Sequence, residues 1–335
     1  MSNRTAVVAV SGQDIRLITA ACAARILRVP GVRDHKYTRG VARIAAGSDT
    51  FPGAGILSVA GASGVGTGMV RLVSTERVEN LVLAYDPGTV IAEGYADAVL
   101  VGPGMDEERR TQCQALLRHA IDEGVPAVVD AGALSMIAPL MQANADLSGC
   151  ILTPHAGEAA RLAVALGSAE DAADEDLRQK IEATPATWAR NLAITTGATV
   201  VLKGAVTYVS SPSGRLHATT RGIGWAGVAG SGDVLAGAIA GCAAQSRGLG
   251  DNREYQAETS ACAGVWLHHQ ASHAAAHAIR AHTRRSIPHS SRHFAAHVRA
   301  HNSGTRHGHP ITALDIARKL PHAVGRVVSS LPASR

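Results

Sequence analysis

Gly230-Ser231-Gly232-Asp233 is the stretch of this 335-residue chain best suited to chemistry. Two glycines flank a serine, an aspartate follows at once, and an apolar, alanine-rich run continues to Gly241. The pattern predicts a loop feeding a helix. Glycines let the backbone approach a ligand and take positive φ. The first N–H groups of a helix lack intrahelical partners, and that end carries partial positive charge. The amides of Gly230, Ser231 and Gly232 would then form an anion hole for a phosphoryl group. Asp233 beside it is either a helix cap or a general base aimed at a hydroxyl about to be phosphorylated.

Two other stretches carry suitable groups. Lys203-Gly204-Ala205-Val206-Thr207 follows an apolar strand pattern. Gly204 would let the backbone approach a nucleotide, and Lys203 and Thr207 offer donors to phosphate or sugar; an ordinary strand-turn-strand fits equally well. Thr153-Pro154-His155-Ala156-Gly157-Glu158 places an imidazole and a carboxylate at a helix start. Helix capping would explain both. Alternatively His155 contacts a ligand and Glu158 holds a metal-bound water, since nucleotide-bound Mg2+ keeps waters and needs few carboxylates. The P-loop pattern and the GxSxG nucleophile elbow are absent. Gly64-Val65-Gly66-Thr67-Gly68 has the wrong spacing for a dinucleotide loop and reads as a tight turn.

The elements that must position these residues follow an α/β rhythm. Apolar strand patterns at 41–46, 69–73, 96–101, 127–129, 151–153 and 199–202 alternate with helical patterns at 54–64, 107–123, 157–167 and 185–192. That alternation predicts a doubly wound, mostly parallel sheet with helices on both faces. Ser48, Gly104, Asp130 and His155 fall at C-terminal strand ends, where such sheets bind ligands. Residues 206–210 and 215–219 flank Ser-Pro-Ser-Gly and read as a hairpin. Residues 15–27 read as a helix, 170–176 as a solvated acidic loop, and 255–269 and 312–320 as further helices.

Composition sets outer limits. The chain is 46% hydrophobic but only 3% aromatic, so its core must be aliphatic. No apolar run is long enough for a transmembrane helix, and the first ten residues make a poor secretion signal. Five scattered cysteines without a CxxC point to free thiols in a reducing cytosol. The net charge is +5, yet residues 268–309 alone hold six arginines and no acid, so a nucleic-acid partner is not expected. Eleven of the sixteen histidines lie there too, and His289, His293, His297 and His301 step by four. On a helix each such step drifts only about 40°, so they would share a face able to chelate a metal. A solvated insertion without a carboxylate to orient the imidazoles is the preferred reading.

"ILTPHAGEAARL" (151–162), "VVLKGAVTYV" (200–209) and "AGSGDVLAGAIAGCAAQ" (229–245) resemble the signatures of the NAD(P)H-hydrate dehydratases, in the ribokinase-like superfamily. "FPGAGILS" (51–58), "ADAVLVGPGM" (96–105), "VVDAGAL" (128–134) and "ITALDIARKLPHAV" (311–324) agree in order and spacing. The resemblance covers roughly residues 38–270 and 311–324. It implies a lead-in at 1–37, then one dehydratase domain over 38–335 with a His/Arg-rich insertion at about 270–309. It implies removal of water from the S-epimer of NADHX or NADPHX using ADP with Mg2+, yielding AMP and phosphate. Asp233 would be the base; Ala54, Gly104, His155 and Asp233 would contact the hydrate. Lys203 to Thr207 (through Gly204, Ala205 and Val206) and Gly232 would hold the nucleotide, with Glu158 reaching Mg2+ through water. A cytoplasmic homotetramer is implied by analogy, and a fused epimerase domain is not expected. The family's Gly-Pro-Gly-Leu-Gly is here Gly102-Pro103-Gly104-Met105-Asp106, Gly132 replaces a frequent acid, and Ala46-Gly47-Ser48 replaces Gly-Gly-Ser. A hydroxymethylpyrimidine- or hydroxyethylthiazole-type kinase, or a non-catalytic nucleotide- or metal-binding protein, are the alternatives.

Overall fold

Among the described residues, ten strands form one sheet in the order β1-β2-β10-β9-β8-β7-β6-β5-β3-β4. They are β1 (Val7–Val10), β2 (Gln13–Leu17), β3 (Val41–Ala45), β4 (Met69–Val73), β5 (Ala98–Val101), β6 (Ala127–Val129), β7 (Cys150–Leu152), β8 (Thr199–Leu202), β9 (Tyr208–Ser210) and β10 (Leu216–Ala218). The computed structural model describes residues 7–10, 13–169, 174–278 and 308–331. From β4 to β8 all neighbours run parallel, and the hairpin β9–β10 adds an antiparallel flap as expected.

The parallel strands are buried on both faces, so their side chains feed two cores by strict alternation. In β5, Val99 and Val101 join one cluster while Ala98 and Leu100 join the other. The first core is closed by α4 (Glu107–Asp122), α5 (Ile137–Gln142), α6 (Ala156–Ala165), α7 (Asp174–Ala183) and α8 (Pro185–Thr196). The second is closed by α2 (Pro52–Gly64), α3 (Glu76–Tyr85), α9 (Ser231–Ala244) and α10 (Arg253–Ala276). With few aromatics to fill space, helices must approach closely. A Cβ on Gly237 would lie 2.0 Å from the Ser58 carbonyl oxygen, so α2 and α9 meet backbone to backbone. Outside them, α11 (Ala313–Val328) and α1 (Ala20–Ala24) complete a third apolar cluster.

Three expectations need correction, and one helix was not among them. Residues 15–27 are not one helix: β2 occupies 13–17 and α1 begins at Ala20. Ile15 is buried between exposed Asp14 and Arg16, a period of two that outweighs the helical reading. β2 pairs parallel with β10, so this early segment extends the sheet. Helix α3 was not anticipated, although Thr75 caps it, Glu76 and Glu79 sit in its first turn, and Val78 and Val82 bury at i, i+4. Asp174 to Asp176 begin α7 instead of ending a loop; 170–173 lie outside the described residues. Finally, α10 runs to Ala276, so 270–276 are helical and packed, whereas His289, His293, His297 and His301 lie outside the described residues.

Candidate active site

The predicted loop-to-helix junction is present. Gly230 caps α9 with φ +84°, and a Cβ there would lie 2.3 Å from Leu57 Cδ1. Conformation and space both demand glycine. The Ser231 N–H donates to the Val228 carbonyl at 3.2 Å, and the Ser231 hydroxyl pairs with His268 Nε2 at 3.2 Å. Of the three residues expected to form the anion hole, Ser231 therefore has its amide engaged, which leaves the role to Gly232 and its neighbours. The Gly232 and Asp233 amides are first-turn donors without intrahelical partners.

Consecutive residues here face two cavities. Gly230 and Asp233 line one of about 490 Å3 with Ala54, Gly104 and Ala131. Ser231 and Gly232 line another of about 610 Å3 with His155, Lys203, Gly204, Ala205 and Thr207. Ala54 and Gly104 are adjacent, since a Cβ on Gly104 would sit 2.5 Å from the Ala54 methyl. One expected residue stands apart from its group. His155 lines the larger of these cavities and not the one holding Asp233. Val206 faces a third cavity of about 860 Å3, which His155, Lys203, Gly204 and Ala205 also line, so it keeps company with its expected group.

Strand pairing brings the polar groups together. A bridge between His155 and Lys203, and the Lys203 N–H donating to the Pro154 carbonyl at 2.8 Å, continue the β7–β8 pairing beyond the strand ends. Lys203 Nζ then lies 2.8 Å from Asp130 Oδ1 and 3.6 Å from Glu158 Oε2. Asp130, only 2% exposed, also accepts from the Thr153 hydroxyl at 2.6 Å. Burial pushes the Lys203 pKa down, but Asp130 and Glu158 outweigh it and the net shift is upward. His155 caps α6: its Nδ1 accepts from the Gly157 and Glu158 amides at 3.1 and 3.3 Å, while its own N–H donates to Glu158 Oε2 at 2.9 Å. Burial lowers the His155 pKa, with Glu158 opposing and Lys203 assisting. Glu158 is thus held in a capping box.

Asp233 is the perturbed acid of this cluster. Burial, then the negative charge of Asp130, raise its pKa from 3.8 to about 6; Lys203 opposes and Glu158 adds. Such a carboxylate is ionised near neutrality yet basic enough to take a proton. The residue after Asp130, Ala131, has φ +48°, a left-handed conformation costing a non-glycine residue roughly 1–2 kcal/mol. That strain lies in the wall of the Asp233 cavity.

The sequence placed Asp130 at the rim without a role; its partnership with Lys203 requires knowing that β6, β7 and β8 are neighbours. His268 was absorbed into the histidine-rich segment. Burial pushes its pKa to about 4, so it faces Ser231 as neutral imidazole.

The profile of the NAD(P)H-hydrate dehydratases matches residues 42–287. The chain belongs to this family. Among curated dehydratase relatives, the Xanthomonas campestris ADP-dependent (S)-NAD(P)H-hydrate dehydratase is 34% identical over 281 residues, 77% of this chain and 88% of that protein. The Mycobacterium tuberculosis bifunctional NAD(P)H-hydrate repair enzyme is 40% identical over 218 residues, 63% of this chain. The chain spans only 42% of the length of that mycobacterial enzyme. Among solved structures, the Bacillus subtilis ADP/ATP-dependent NAD(P)H-hydrate dehydratase, co-crystallised with ATP and Mg2+, superposes with a TM-score of 0.67 at 22% identity, covering 93% of this chain and 98% of that one. The expected ribokinase-like fold is borne out by this likeness. No helix among the described residues is long and apolar enough to cross a membrane.

Proposed function

We propose that this protein restores NADH and NADPH from the S-epimer of their hydrates, with ADP as phosphoryl donor and Asp233 as base. The observation that carries the reading is the start of α9. Asp233 and Gly232 are neighbours in sequence, yet one lines the cavity of Ala54 and Gly104 and the other the cavity of Lys203, Gly204, Ala205 and Thr207. A hydroxyl in the first and a phosphate in the second would meet across one helix N-terminus.

Hydroxide is a poor leaving group and phosphate a good one. Asp233 takes the proton of the ring hydroxyl as its oxygen attacks the terminal phosphorus of ADP, and AMP departs. The Gly232 amide and Lys203 hold the charge of the transferring group. The carbon–oxygen bond then breaks with its electrons going to phosphate, a proton leaves the adjoining ring carbon, and the double bond returns. His155, in the neighbouring cavity, is placed to touch the part of the dinucleotide beyond its nicotinamide.

The donor set bears on Mg2+. Among the described residues no group of three or more His, Cys, Asp or Glu could hold a metal ion. Glu158, 11% exposed in its side chain, offers Oε1 while Oε2 serves the cap. These residues fit an ion carried on nucleotide phosphates with its waters kept, one of them held by Glu158. Bound there, Mg2+ would neutralise phosphate charge.

The test is recovery of reduced nicotinamide absorbance from hydrated NADH with ADP and Mg2+, in the wild type and in Asp233→Asn. Recovery that Asp233→Asn abolishes supports the proposal. Nucleotide consumption leaving a stable phosphorylated product would replace it with a kinase.

A further inference from the structure

We propose that His269, which lines the Lys203–Gly232 cavity, and His273 form a chelating site for a borderline transition-metal ion, of the Zn2+, Ni2+ or Cu2+ class. The two residues are four apart on α10, so their side chains rise from the same face one turn apart. Their ring centroids are 4.7 Å apart and the rings are tilted by 53°. Imidazole nitrogens bind such ions at about 2.0–2.1 Å, and two rings meeting on one ion at roughly 90–110° put their centroids roughly 4.6–5.3 Å apart. The pair already stands at chelating separation. His277 continues the ladder, but its ring stacks on His273 at 6.3 Å, outside that range, so it does not share the ion.

Three further features suit a cation. His269 Nε2 is 3.1 Å from the Thr220 hydroxyl. An oxygen accepting the Nε2–H fixes the tautomer and leaves Nδ1 its lone pair, the arrangement that orients metal-binding imidazoles. His273 lies in the last turn of α10, where the helix dipole favours positive charge. Both rings are neutral near pH 7: burial lowers the His269 pKa to about 4, with His273 adding, and burial lowers that of His273, with His277 adding. Neutral imidazole is the form that coordinates.

The site has a functional consequence because His269 and Ser272 line the cavity assigned to the nucleotide. An ion seated on His269 narrows that cavity, so metal and nucleotide compete. The chelate itself does not rest on that assignment; only the competition does. Two imidazoles and water make a modest site, selective by ligand softness for Cu2+ and Ni2+ over Mg2+.

The experiment is calorimetric titration of Ni2+ into the full chain, into His273→Ala, and into a control, His322→Ala, at an exposed histidine on α11. Histidines elsewhere, including those of 279–307, are common to all three and cancel in the comparison. The wild type and the control are expected to bind one equivalent of Ni2+ at least roughly 10-fold more tightly than His273→Ala. Thr220→Val, which removes no ligand, is expected to fall between them. Isotherms unchanged by His273→Ala overturn the proposal, as does an equal loss in His322→Ala. With nucleotide present, saturating Ni2+ is expected to weaken ADP binding in the wild type and not in His273→Ala. Ni2+ binding that depends on His273 but leaves ADP affinity intact would keep the chelate and overturn the cavity's assignment to nucleotide.

Discussion

Asp233→Asn is expected to make the protein more stable at neutral pH while destroying its activity. The carboxyl pKa is 3.8 in its ordinary state and about 6 in the fold. Because the folded value is raised, the folded state binds the proton more tightly than the unfolded chain. Stability therefore falls as pH rises from about 4 to about 6, and the penalty is fully present above about 6. At roughly 1.4 kcal/mol per pH unit, that rise corresponds to about 3 kcal/mol at pH 7 to 8, an upper value because Asp233 retains some solvent contact. Asparagine keeps the shape and removes the charge. With an unfolding entropy near 2.1 cal/mol/K per residue, about 3 kcal/mol raises the melting temperature of a chain this long by about 4 °C. Loss of a general base lowers the rate by roughly 10²–10⁴. The assay is thermal unfolding of both proteins from pH 4 to pH 8, beside the activity measurement. The gap in melting temperature should open between pH 4 and pH 6 and then stay constant. A gap that is absent, reversed or independent of pH would refute the claim that this carboxylate is held at a cost for the sake of catalysis.

The neighbours of Asp233 give paired predictions of opposite sign. Asp130→Asn removes a charge that raises the Asp233 pKa, so the acid limb of the kcat/KM profile should move below about 6. Lys203→Met removes one that lowers it, so the limb should move above about 6. Lys203→Met also strands the buried Asp130 carboxylate and should cost about 3–5 kcal/mol in urea unfolding, less when combined with Asp130→Asn. Gly230→Ala must adopt φ +84° and meet Leu57, so it should lose about 1–3 kcal/mol of stability by the same measurement and slow phosphoryl transfer further than that loss explains. The Cys22 pKa is lowered to about 6, chiefly by a hydrogen bond from Cys262 and against burial. Cys22 should be the thiol most rapidly alkylated at pH 7, mapped by peptide mass, and Cys262→Ala should slow it.

What the sequence made legible follows from the range of the interactions involved. The Gly230–Asp233 junction could be read because its logic is local: glycines for a left-handed cap, orphan amides, an acid within one turn. The sheet could be read because parallel strands buried on both faces leave continuous apolar runs such as Ala98–Val101. Residues 15–27 misled because Ile15 is buried in a strand whose partner in the main sheet, β10, lies some two hundred residues later. The tuning of Asp233 was equally out of reach. It depends on Asp130, Lys203 and Glu158, which two separate strand ends and one helix cap deliver to the same few ångströms. Spacing along the chain carries no information about that distance; the strand order does. The division of labour at α9 has the same origin. Gly232 and Asp233 face different cavities because a first helical turn rotates successive residues by about 100°, and two sheet-edge hollows lie on either side of it. A local motif thus supplies the carboxylate and the amide, and the fold alone decides that each points into a different cavity.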